Sequence, residues 1–111
     1  MAEMVEILCV GEVTASTEDA AEYVVASGKK ATVVQFDADA AFSKDSVVRL
    51  IWDYGGTDTL IWSIKGGAGL PRDYYPVVVG DGVKTLAVVC ENGEAGSLFL
   101  AGRAKIRIDD V

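Results

Sequence analysis

The chain has 111 residues, half of them hydrophobic and 24% charged, with a net charge of −7. That length suits one domain with a conventional core, and the composition excludes intrinsic disorder. No run approaches the ~20 apolar residues of a membrane-spanning helix, and the acidity repels nucleic-acid phosphates and anionic membranes.

The charge is unevenly placed. Residues 1–28 hold six acids (Glu3, Glu6, Glu12, Glu18, Asp19, Glu22) and no Lys or Arg, while the remainder holds eleven acids against ten bases. This acidic segment, packed on the domain or extending from it, is either a solubilising surface or a contact for a basic partner. The start, Met1-Ala2-Glu3-Met4-Val5-Glu6, is acidic where a secretion signal is basic, so a soluble protein made in the cytoplasm is expected.

In chain order, residues 4–10 predict a strand. Thr14 to Lys30 has two readings. Ser16 or Thr17 can cap a short helix over residues 17–27 that Gly28 stops. Against this, Glu22-Tyr23-Val24-Val25-Ala26 favours a strand, with Ser27-Gly28-Lys29-Lys30 as a hairpin loop into the next strand. Ala31 to Asp37 is that next strand, which Asp37 to Phe42 can extend.

Val47 to Asp53 and Thr57 to Lys65 predict a hairpin on a two-residue turn at Gly55-Gly56. In that register Trp52 faces Thr59, Leu50 faces Ile61, Ile51 faces Leu60 and Arg49 faces Trp62. Both faces carry large apolar groups, so the second face needs a cover, from this domain or from another subunit. Residues 66–76 form a loop with three glycines, two prolines and the adjacent Tyr74 and Tyr75.

Tyr75 to Val79 is a short strand. Val83 to Glu91 and Ala95 to Ala101 predict a second hairpin, on Asn92-Gly93, in which Glu91 faces Glu94. Arg103 to Asp109 alternates strictly. Ala104, Ile106 and Ile108 point one way and Arg103, Lys105 and Arg107 the other. Eight or nine short strands at this spacing predict one all-β domain over residues 1–111: an antiparallel β-sandwich or jelly roll.

Chemistry is sparse. With no histidine, the commonest general base and zinc ligand are missing. Cys9 and Cys90 lie in apolar runs and read as buried free thiols, a disulfide between them being possible. Gly66-Gly67-Ala68-Gly69 is followed by Leu70-Pro71 where a phosphate loop needs a helix start. Asp37 and Asp39 share a strand face and, with Asp45 or Asp53, could hold a calcium ion, but solvated acids explain them as well. No catalytic, metal or cofactor residues are assigned.

Contact residues are the better candidates. Trp52, Tyr54, Trp62, Tyr74 and Tyr75 are side chains that protein interfaces favour. The two tryptophans read equally as core. Arg103, Lys105 and Arg107 form a cationic stripe, whose partner is the acidic segment or the same segment on a neighbour. A solvated edge strand is the plain alternative.

Val25 to Val33, Asp45 to Tyr54 and Gly80 to Val88 together resemble small β-sandwich structural proteins of tailed bacteriophages, over roughly residues 20–108. The resemblance implies a virion component, decorating a capsid or belonging to a neck, tail or fibre. It implies protein partners, a homo-oligomer with a trimer favoured, and no catalytic residues. The rival readings are a module binding carbohydrate or peptide through the same aromatics, and a small α/β domain with an enzymatic or regulatory role.

Overall fold

The computed structural model describes residues 3–40, 44–65 and 75–111. Among these residues there are eight strands and no helix. They are β1 (Glu3–Val13), β2 (Glu18–Val24), β3 (Lys29–Asp39), β4 (Val47–Trp52), β5 (Thr59–Lys65), β6 (Val77–Val79), β7 (Thr85–Glu91) and β8 (Leu98–Asp110). Sheet A has the order β1-β8-β3-β6 and sheet B the order β2-β7-β4-β5.

All pairings are antiparallel, and they include β1 with β8, β2 with β7, β3 with β6, and β4 with β5. These nested pairs are those of one long eight-stranded hairpin rolled over on itself. Rolling adds the β3–β8 and β4–β7 pairings. The result is a jelly roll, an antiparallel sandwich of two four-stranded sheets.

The core lies between the sheets. Phe36, Leu50, Leu86, Leu100 and Ile106 are fully buried there, with Val33, Val48 and Val88. Trp62 packs its ring on Phe36, with centroids 5.6 Å apart. Trp52 is half-buried against the same cluster. Gly102 on β8 supplies close approach: a Cβ there would lie 2.6 Å from methyls of Val48 and Val88. Side chains of sheet B therefore pack directly on β8 where it has no side chain.

Residues 18–24 resolve to a strand rather than a helix, because β2 is paired along its whole length with β7. It does not form a hairpin with β3, which belongs to the other sheet. The β4–β5 hairpin is present, but its connection is longer than two residues. Asp53 takes a positive φ of 59°, and its carboxylate accepts from the Thr57 amide at 3.0 Å and the Thr57 hydroxyl at 2.7 Å. Trp52 faces Thr59 and Ile51 faces Leu60 as expected. A register shift then puts Leu50 opposite Trp62 and Arg49 opposite Ser63. A bulged residue is invisible to period-2 counting.

The second expected hairpin is absent. β7 and β8 lie in different sheets, and residues 92–97 cross between them. Glu91 faces Glu18 and Val47, not Glu94. Asn92, 1% exposed, holds this crossing. Its amide group donates to the Val13 carbonyl at 2.9 Å and the Gly96 carbonyl at 2.8 Å, and its side-chain oxygen accepts from the Glu94 amide at 2.8 Å. Gly93 serves close packing rather than a primed turn, since a Cβ would lie 2.2 Å from the Asp45 carbonyl oxygen.

Candidate protein interface

The two outer faces of the sandwich differ. On sheet B, Ile51, Ala87 and Val89 point outward yet are 8%, 0% and 1% exposed. Tyr54, the first residue of the connection beyond Asp53, packs on them and donates its hydroxyl proton to Glu18 at 2.6 Å. Arg49 ion-pairs with Glu91 on the same face. This part of the second face is thus covered by the domain itself. Leu60, opposite Ile51, stays 55% exposed.

Sheet A has no such cover among the described residues. Its outward side chains lie in rows fixed by register: Glu12 beside Phe99, then Val10–Ala101–Asp39, Leu8–Arg103–Asp37, Glu6–Lys105–Gln35 and Met4–Arg107–Thr32. Leu8 is 57% exposed, Val10 51% and Phe99 63%. Leu8, Val10, Asp37, Asp39, Ala101 and Arg103 line a shallow depression, because Ala101 has too small a side chain to fill it. Single exposed apolar residues are ordinary, but three around one small residue form a patch of the kind contact sites use.

The cationic stripe crosses the middle of this face. β8 pairs on both sides and is not an edge strand, contrary to the plain alternative reading. Its inward residues Ala104, Ile106 and Ile108 are buried as the alternation requires. Arg103 donates to Asp37 at 2.7 Å and lies 3.8 Å from Glu6, so the acidic β1 is one of its partners. The Asp37 hydrogen bond is the main reason the Arg103 guanidinium holds its proton more tightly than usual. Arg107 pairs with Asp109 at 2.8 Å, and Lys105 makes no ion pair among the described residues. Asp37 also accepts from Gln35 at 2.7 Å. No three metal-ligating side chains gather among the described residues.

Among the described residues, the sequence-selected aromatics do not gather into one platform. Trp62, offered as a contact residue, is 6% exposed and is a core residue, because the register shift in β5 turns it inward. Tyr54 is held against sheet B, and Tyr75 is 55% exposed beside Thr32 and Val34 of β3. Tyr74 and most of its loop lie outside the described residues. The residues missed from the sequence are Leu8, Val10 and Phe99. The signal was there, since Ile7-Leu8-Cys9-Val10 is apolar on both faces of one strand.

Cys9 and Cys90 are free and buried, on facing sheets. The Cys90 thiol donates to the Cys9 carbonyl at 3.5 Å. Burial, and then the neighbouring Cys9 thiol, push Cys90 far above the usual thiol range, which makes it unreactive.

No protein-family model matches the sequence, and no curated protein matches it. A solved structure described by the words "Bacillus endospore appendages form a novel family of disulfide-linked pili" aligns with 100% of this chain and 91% of its own. The identity is 15% and the TM-score 0.43, a likeness that assigns no function here.

Proposed function

We propose that this chain is a non-enzymatic structural protein that works by burying the outer face of sheet A against protein. The observation that carries this reading is the group of exposed Leu8, Val10 and Phe99 around Ala101. Leaving that surface in water costs about 25 cal/mol per Å² of apolar area, which association recovers. The acidic balance and the cross-paired Arg103 argue against nucleic acid or an anionic membrane as the partner.

The setting proposed is the virion of a tailed bacteriophage, as a capsid decoration, neck or tail component made in the host cytoplasm. Support comes from the architecture: jelly rolls recur in viral capsid proteins, though the fold alone serves other roles too. The partner is a second copy of the chain or another protein of the assembly. Light scattering on a sizing column tests the reading. A defined oligomer is expected, and a strict monomer at every concentration overturns self-assembly.

A further inference from the structure

We infer that Cys9 and Cys90 are a cross-linking site, which a peroxide converts into a disulfide tying sheet A to sheet B. Both thiols are free in the structure, so the bond is a later modification of the folded chain. The cross-link itself does not depend on self-assembly. That it forms in use rests on the proposed setting, a chain made in a reducing cytoplasm and working outside it, where disulfides persist.

The two side chains converge from facing sheets. Cys9 is buried in the core from β1, an edge strand, and Cys90 from β7, an interior strand. Packed sheets ordinarily stand ~10 Å apart, whereas a disulfide joins Cα atoms no more than ~7 Å apart. β1 and β7 approach within 8 Å, Cα to Cα. Gly102 stands directly opposite Cys9 in the β1–β8 register, and a Cβ there would lie 3.8 Å from the Cys90 sulfur. Cys90 thus packs on the one position beside Cys9 that carries no side chain. Its thiol donates to the carbonyl of Cys9 itself at 3.5 Å. That carbonyl carbon is two bonds from the Cys9 Cβ, so a turn about the Cys90 χ1 exchanges the carbonyl contact for the Cys9 sulfur.

The reaction starts at Cys9. It is 9% exposed against 0% for Cys90, and an edge strand opens more cheaply than an interior one. The Cys9 thiolate attacks one oxygen of hydrogen peroxide, and the O–O bond breaks. The leaving hydroxide takes up the proton that the thiol lost and departs as water, which leaves Cys9 as a sulfenic acid. The Cys90 sulfur then attacks the sulfenic sulfur, the S–O bond breaks, and the Cys90 proton leaves with the hydroxyl as a second water. The two sulfurs together give up two electrons, which the peroxide takes. Burial keeps the Cys90 thiol protonated until that step, which suits it to close the bond rather than to begin it. The bond closes most of the chain into one loop and stabilises the fold by restricting the unfolded state.

The test treats the full-length protein with hydrogen peroxide under native conditions, with Cys9→Ala and Cys90→Ala beside it. The expected wild-type product has no titratable thiol in denaturant. Apart from oxygen taken up by Met1 and Met4, it loses the mass of two hydrogen atoms. Digestion without reduction should give the Cys9 and Cys90 peptides joined. The unfolding midpoint should rise by about 10 °C or more, and dithiothreitol should reverse the rise. Neither single-cysteine variant should show that loss of mass or that gain of stability. Two thiols that survive in the folded wild type and pair only once it is unfolded would make them ordinary core side chains. Oxygen retained on one cysteine of the wild type, or a bond between two chains, would equally overturn the site. A confirmed bond with an unchanged midpoint would contradict the tie between the sheets. All of these outcomes are read on the covalent state and unfolding of the chain, so none of them decides whether copies of the protein assemble.

Discussion

Tyr54 lies across the outer face of sheet B with its hydroxyl donating to Glu18, 2.6 Å away, and so ties the β4–β5 connection to β2. The bond needs the phenol protonated, and this, followed by burial, raises the Tyr54 pKa to about 12. The folded state therefore holds the proton more tightly than the unfolded chain. The stability this supplies is fully present below the ordinary tyrosine range near ~10 and is lost as pH rises through about 12. Ultraviolet titration of the native protein should show one tyrosine ionising late. Tyr54→Phe should abolish that late transition, and a titration with no late tyrosine would contradict the contact.

The same residue is a lid. Tyr54→Ala should uncover Ile51, Ala87 and Val89 and lower stability by about 2–3 kcal/mol, with the phenylalanine variant losing about 1. Urea denaturation of the three proteins separates ring from hydroxyl. Equal losses in the two variants would mean that the ring covers nothing.

Trp62→Ala should cost about 3–5 kcal/mol, because the ring fills the space against Phe36. It should act on the unfolding midpoint and not selectively on assembly. A variant with unchanged stability but reduced native mass would return Trp62 to the surface.

At the crossing from β7 to β8, Asn92→Ala leaves the buried Val13 carbonyl without its donor and frees the Glu94 amide. The expected cost is about 2–3 kcal/mol by thermal or urea unfolding. Ser46 gives the opposite case. Its hydroxyl is buried with no hydrogen-bond partner among the described residues, so Ser46→Ala should be neutral or mildly stabilising. A large loss from Ser46→Ala would reveal a partner.

Gly102→Ala should be costly for a steric reason alone. The new methyl would press on Val48 and Val88 at 2.6 Å, and the sheets would have to part. A loss of about 1–3 kcal/mol is expected from chemical denaturation. An unchanged midpoint would show that the two sheets adjust without strain.

How much of this was legible depended on how local each signal is. β8 was readable from Arg103 to Asp109 because alternation directly reports which side faces the core. The β4–β5 pairing was readable up to Ile51, and one bulged residue reversed the parity that decides where Trp62 points. Asn92-Gly93 was misread because turn residues mark a reversal of the chain without saying whether it stays in one sheet. Here the pairs that decide the fold join β1 to β8 and β2 to β7, across most of the chain. β2 was ambiguous because an edge strand of Glu18-Asp19-Ala20-Ala21-Glu22 has little apolar alternation to show. The contact face was harder still, since Leu8, Val10 and Phe99 come from two strands that register alone brings together.

Whether the outer face of sheet A is a contact surface is read from the native mass of Leu8→Asp beside wild type, by light scattering at matched concentration. Leu8 is 57% exposed at the centre of the face, so the folded domain should tolerate the change. The expected result is a wild-type oligomer, and a variant that keeps its circular dichroism spectrum but falls to the mass of a single chain. Two folded oligomers of equal mass would show that the outer face of sheet A is not where copies of this chain meet, and a monomeric wild type would contradict self-assembly.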